Sequence, residues 1–376
     1  MKLHKKAMLA SGFCALLCLL FVALFGAGEL VTAGITGDLD ALNAGERWSD
    51  EPYATIALHT DTESALSRNQ VESYAMAVDT GLLNASIESP ENGSAWTWCC
   101  YTEDVISVSG PKATASLQTI AAGGSFFTFH PLEFVYGAPF AYDRALPDGI
   151  VLDEDAAWRV FGALDVVGMT VEIGGREMTV TGIVRHERDS DRYERAYGDI
   201  PRMYMSYYGY EILFGEESNI TTFEATIPNP VKSFAMNIFT TAVQINEDTM
   251  TVRENSDRYS IVNRFSRMKE LPYMGMRVDR IVYPYFENEL QAVDYTTSVW
   301  MIWQTIAGGL ALFSLLISLI CLFAGGFSPS AILKNTWKKV GNAWDKRQAE
   351  KQKKRRKSRR TSGKRLMKPE KYLEDN

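Results

Sequence analysis

The sequence predicts an α+β extracytoplasmic domain in two lobes, flanked by two transmembrane helices. Three observations predict it: the sorting of charge along the chain, two long apolar runs, and an alternation of strand-like and helix-like patterns between them. Of the 376 residues, 39 are Lys or Arg and 46 Asp or Glu, a formal charge of −7. Lys2, Lys5 and Lys6 give the first seven residues +3. The stretch from Lys334 to Asn376 holds 17 basic and five acidic residues, or +12, so the chain between carries −22. Basic ends around an acidic body are what a membrane protein with both termini in the cytoplasm requires, because positive charge is retained on that side. A soluble cytosolic enzyme or a nucleic-acid-binding body has no reason to sort charge this way.

The elements follow in order. Residues 1–6 are read as a cytoplasmic N-terminus, and 7–28 (AMLASGFCALLCLLFVALFGAG) as the first spanning helix. These 22 uncharged residues make a helix of about 33 Å, enough to cross the hydrocarbon core. A cleaved signal peptide is the competing reading, since Val31-Thr32-Ala33 is an acceptable cleavage site, but the run exceeds a signal core of about 7–15 residues. Residues 29–298 form the outer domain and 299–324 the second span, with Trp300 and Trp303 near its outer edge, where tryptophan suits the membrane interface. Gln304, the most polar residue of that span, is read as a helix-contact residue. Residues 325–376 are a cytoplasmic tail.

Inside the outer domain, Tyr53 to Leu58 alternates like a strand, and Ser67 opens a helix with Val71, Tyr74, Ala75 and Val78 on one face. Trp96 to Val108 reads as extended, Gly149 to Leu152 as a buried strand, and Asp153 to Phe161 as a helix. Thr170 to Ile173 and Met178 to Val184, joined through Gly174-Gly175, make a hairpin. Phe223 to Ile227 and Val231 to Val243 repeat the strand-then-helix unit, and Glu287 to Thr297 extends the second spanning helix outward.

These residues also carry a resemblance. Gly123-Gly124-Ser125-Phe126-Phe127, then Gly137-Ala138-Pro139-Phe140, then GIVLDEDAAWRVFG at 149–162 and DVVGMTVEIGGREMTVTGIV at 165–184 resemble, in order and spacing, the MacB-like periplasmic core domain of FtsX-like ABC transporter permeases. The matching positions are Gly124, Phe126, Phe127, Gly137 and Phe140, followed by Phe161, Gly162, Gly168, Gly174 and Gly182. They are turn, close-packing and core positions, so they specify a fold and name no reactive atom. Ala138 and Pro139 stand where the family commonly has Arg, Ile183 replaces a Val, and Ser206 stands where Pro is common. The resemblance implies a non-catalytic membrane subunit of the bacterial plasma membrane, whose outer domain transmits conformational change or binds a partner. Its partners would be an ABC-type ATPase, a full-length permease, or both. The alternative is a membrane-anchored adaptor that keeps the outer fold without ATPase coupling.

One apolar span follows the outer domain here, where family permeases carry three, and no GxxxxGK[ST] phosphate loop is present, so the chain is not its own ATPase. In the tail, Leu333, Trp337, Val340 and Trp344 fall on one stripe, read either as an ATPase-docking helix or as a basic amphipathic helix on anionic lipid, with lipid preferred. Lys353, Lys354, Arg355, Arg356, Lys357, Arg359 and Arg360 are expected to face lipid, not nucleic acid.

No catalytic, cofactor or metal site is expected. His4, His59, His130 and His186 are scattered, with no HExxH pair. The polar run from His186 to Asp191 reads as a solvated connection, and Asp153-Glu154-Asp155 as acidic residues favoured in a helix's first turn. Cys99-Cys100 is either a strained vicinal disulfide or two thiols on opposite faces of a strand.

Overall fold

A computed structural model of the chain describes residues 2–37, 39, 42, 44–49, 51–91, 93–140, 147–186, 200–215, 219–273, 283–325, 344 and 347. It forms two compact units, one of residues 1–24 with 306–376 and one of Phe25–Thr305.

The apolar runs are helical: α1 spans Lys2–Thr36 and α9 spans Tyr285–Ala324. Both are long and apolar enough to cross a membrane. In the first unit Ser318 Oγ donates to Ser11 O at 2.9 Å, and the two hydroxyl oxygens lie 3.2 Å apart. Such small hydroxyl pairs join helices in apolar surroundings.

The second unit is built on one ten-stranded mixed sheet. Its strands are β1 (Tyr53–Thr60), β2 (Thr97–Ser109), β3 (Thr114–Gly124), β4 (Phe134–Gly137), β5 (Gly149–Asp153), β6 (Thr170–Ile173), β7 (Arg176–Val184), β8 (Arg202–Ser206), β9 (Thr222–Pro228) and β10 (Met250–Glu254). The order is β10-β1-β9-β2-β3-β8-β5-β7-β4, with β6 off this path against β2 and β7. The β3/β8 and β5/β7 pairs are parallel and the others antiparallel. The shorter helices are α2 (Ala44–Trp48), α3 (Arg68–Asn84), α4 (Phe126–Phe129), α5 (Glu154–Val160), α6 (Tyr207–Phe214), α7 (Phe234–Val243) and α8 (Ile261–Arg267).

Local chemistry explains the element starts. Ser67 caps α3 with a capping box: its hydroxyl accepts from Gln70 N–H at 3.3 Å, and Gln70 Oε1 accepts from Ser67 N–H at 2.8 Å. Asp153 caps α5 by accepting from Ala156 N–H at 2.6 Å. Its other oxygen accepts from Arg202 N–H at 2.9 Å and lies 2.8 Å from His186 Nδ1, so the residue ties three segments together beyond serving a helix dipole. Gly174 and Gly175 turn the β6–β7 hairpin with φ of +58° and +78°. Gly182 needs its missing side chain, since a Cβ there would stand 2.7 Å from Ala138 O.

The expectation of two lobes is corrected by the packing. One face of the sheet carries a continuous core from α3 and α7 (Val71, Val78, Phe239) to the α5 region (Ala156, Val160, Val180). The halves share that core because α3, α5 and α7 lie on the same face of one sheet. A smaller cluster of Cys99, Tyr101, Phe126, Phe129 and Tyr204 occupies another part of the interior. Phe161, expected in the core, caps the C-terminus of α5 and is only partly buried. Val180 is fully buried. We therefore expect Val180→Asp to cost about 3 kcal/mol or more by burying an unpaired charge, read as a collapse in protein level. Normal accumulation would show that the hairpin is not core.

Candidate functional site

The second unit contains a buried charged joint. In α9 the residues Glu287, Leu290, Asp294, Thr297, Met301 and Gln304 recur at helical spacing, and each is 4% exposed or less. This stripe faces the β1/β10 edge and the residues around α8. Arg258, fully buried between β10 and α8, grips it in two places. Its Nη1 and Nη2 donate to the Glu287 carboxylate, each at 2.8 Å, and its Nε and Nη2 donate to Asp294 at 3.1 and 2.6 Å. Asn255 Oδ1 takes a further bond from Nη1 at 3.0 Å, and Arg267 pairs with Asp294. Such a bidentate fork holds orientation as well as distance.

Electrostatics follow from burial. Desolvation alone would push the Glu287 carboxyl up, but Arg258, with His59 and Arg253 beyond it, pulls it down from its ordinary 4.5 to about 2. Burial lowers the pKa of the His59 imidazole, against the upward pull of Glu287 and Glu224.

The joint extends to α1 through Arg264 of α8. Arg264 is 1% exposed. Its Nη2 donates to both oxygens of Glu29 at 2.6 Å, and its Nη1 to Thr32 Oγ1 and Gln304 Oε1, each at 3.1 Å. Gln304 Nε2 donates to Phe25 O at 3.2 Å and to Glu29 at 2.7 Å. Gln304 is thus the helix-contact residue that the sequence suggests. One arginine side chain touches both long helices, at Glu29 and Thr32 of α1 and at Gln304 of α9.

A second cluster lies in the smaller core. The β2/β9 register pairs Cys99 with Glu224, and His130 follows α4. His130 Nε2 lies 2.6 Å from Glu224 Oε2, and the Cys99 thiol donates to the same oxygen at 3.4 Å. Burial and the neighbouring Glu224 charge push the Cys99 thiol well up. Burial also acts to raise Glu224, yet His130, His59 and the thiol outweigh it and hold the carboxyl below its ordinary value. No reading of spacing groups these residues, because His130 and Glu224 are 94 residues apart. Cys99 and Cys100 are free thiols in different clusters, as strand alternation dictates.

The structure places most of the fold motif positions in core or turns, with Phe161 only partly buried. Phe126 and Phe140 are buried, Phe127 packs on both, Gly124 and Gly137 end β3 and β4, and Gly162 and Gly168 sit in turns with positive φ. The tail positions Leu333, Trp337 and Val340, and the bases Lys353, Lys354, Arg355, Arg356, Lys357, Arg359 and Arg360, lie outside the described residues. Trp344 is described and exposed.

Comparison with known proteins gives the family. The model for the MacB-like periplasmic core domain matches residues 15–255, from within the first apolar run to the end of β10. The chain belongs to the MacB-like periplasmic core domain family. Among solved structures, the periplasmic region of MacB from Actinobacillus actinomycetemcomitans is similar at 13% identity and a TM-score of 0.40, covering 55% of this chain and 92% of that one. The extracellular domain of the noncanonic ABC-type transporter YknZ from Gram-positive bacteria is similar at 10% identity and a TM-score of 0.37, covering 53% of this chain and 99% of its own. No curated protein matches the chain. Arg258, Arg264, Glu287, Asp294 and Gln304 all lie beyond the matched MacB-like segment.

Proposed function

We propose that this chain is a non-catalytic membrane subunit of the ABC transporter permease type, whose outer MacB-like domain moves with the outer ends of its two spanning helices. Residues 7–28 and 299–324 cross the membrane, 29–298 lie outside, and 1–6 and 325–376 lie in the cytoplasm. The supporting observation is Arg264, which bonds Glu29, Thr32 and Gln304 at once. A shift of either helix that broke these bonds would strand buried polar groups, so shifting α8 and the sheet edge with the helices is the cheaper response. That is how a non-catalytic subunit transmits force. Cleavage after Ala33 would remove Glu29 and Thr32, so this reading keeps the first helix in the mature protein.

Where this subunit meets an ATPase, the stripe Leu333, Trp337, Val340 and Trp344 is the surface it offers, and otherwise the stripe lies on anionic lipid with the tail from Lys353 to Arg360, which gains about 1 kcal/mol per base near the surface. Topology tests the organisation. A reporter active only in the cytoplasm should work when fused after Asn376 and fail when inserted at Ser190. The reverse pattern would overturn it.

A further inference from the structure

The structure assigns a second role to the smaller core: we propose that Cys99, His130 and Glu224 bind one divalent cation of the zinc class. The donors are one sulfur, one imidazole nitrogen and one carboxylate oxygen, a set that suits a borderline cation and that an all-oxygen cation such as calcium does not select. Their ligand atoms all lie within 4.8 Å of one another. Zinc with sulfur at about 2.3 Å and nitrogen or oxygen at about 2.0–2.1 Å in a tetrahedron keeps neighbouring ligands roughly 3.3–3.6 Å apart. The sulfur to Glu224 Oε2 distance of 3.4 Å already meets that spacing. The 2.6 Å contact between His130 Nε2 and Glu224 Oε2 would open by under about 1 Å to admit the ion.

Burial makes the group unusual. Cys99 is 0%, His130 2% and Glu224 4% exposed, and among the described residues no Lys or Arg forms an ion pair with Glu224. A second observation points the same way. The Tyr101 hydroxyl, two residues along the same face of β2, is buried without a hydrogen-bond partner among the described residues, and its ring meets that of His130 edge-on at 5.5 Å. A water in the fourth coordination position would supply that missing partner. The rings of Phe126 and Phe286 pack against His130, and burial of the three donors away from water strengthens ion–ligand attraction. Since His130 stacks on Phe286 at 3.7 Å, the ion would staple β2, β9 and the segment after α4 to the start of α9.

Cobalt(II) is the probe, added to the metal-free full chain in mild detergent. One equivalent should bind with a thiolate-to-cobalt charge-transfer band, zinc should displace it, and zinc should raise the melting temperature. Cys99→Ser should lose the band and Cys100→Ser should keep it. Folded wild-type protein that takes up no stoichiometric cobalt would overturn the proposal and leave a hydrogen-bonded cluster only. So would a band that survives in Cys99→Ser. If that variant does not accumulate, Glu224→Gln should weaken cobalt binding at least tenfold, and unchanged affinity there overturns it equally.

Discussion

Arg258→Met should destabilise the outer domain by about 3–5 kcal/mol, the cost of removing one partner from a buried ion pair and leaving the other charge stranded. Two carboxylates, Glu287 and Asp294, share this guanidinium, and both are at least 95% buried. Arg267 and Arg253 still reach Asp294, while Glu287 keeps only Arg253 among the described arginines, at 3.7 Å, so Glu287 carries most of the loss. Thermal unfolding of the purified chain measures it, and a change under 1 kcal/mol would show that the joint is not an ion-pair core. Adding Glu287→Gln to Arg258→Met should recover part of the loss, because one stranded charge is gone, and the non-additivity measures the pair. Acid gives a second signature. A carboxyl whose folded pKa is lowered, here from 4.5 to about 2, contributes its full share of stability above about pH 4.5 and loses it as the pH falls toward 2. The Arg258→Met variant should lose that part of the acid dependence.

Arg264→Leu should separate the C-terminal end of α1 from the joint while the sheet stays folded. Glu29 is one-third exposed, so its pairing is partly screened by solvent, but Gln304 and Thr32 are buried and would lose their partner. A cost of about 2–3 kcal/mol follows from breaking charge-assisted bonds to buried acceptors. Its expected signature is regional: faster amide exchange at residues 29–36 and 261–267, with β1, β9 and β2 unchanged. Arg264→Lys should give an intermediate effect, since an ammonium keeps the charge but cannot make the four-way contact. Exchange that rises uniformly across the sheet would make Arg264 a general core residue and remove it as a coupling element.

The local elements were legible because each carries its own signal. Ser67 marks the start of α3, the glycine pair marks the β6–β7 turn, and the run from Glu287 to Thr297 continues α9 ahead of its apolar stretch. The single sheet was not legible, because the pairing of β1 with both β9 and β10 joins segments more than 150 residues apart and no periodicity encodes it. The joint stayed hidden for the same reason. Arg258 and Arg264 sit in a polar stretch like any solvated loop, and only the fold reveals that they are buried. Cys99, His130 and Glu224 have no ligand spacing, since a ladder register and a helix end bring them together. Gln304 was readable because an amide inside an apolar run has few other uses.

Copurification tests the central claim most directly. The full chain isolated in mild detergent should bring down an ABC-type ATPase in stoichiometric amount, alone or with a full-length permease. Trp337→Ala with Trp344→Ala should abolish that capture while leaving membrane insertion intact, because aromatic anchors dominate small interfaces. Isolation of the unmodified protein with neither an ATPase nor a permease would contradict the account and leave a membrane-anchored adaptor in its place.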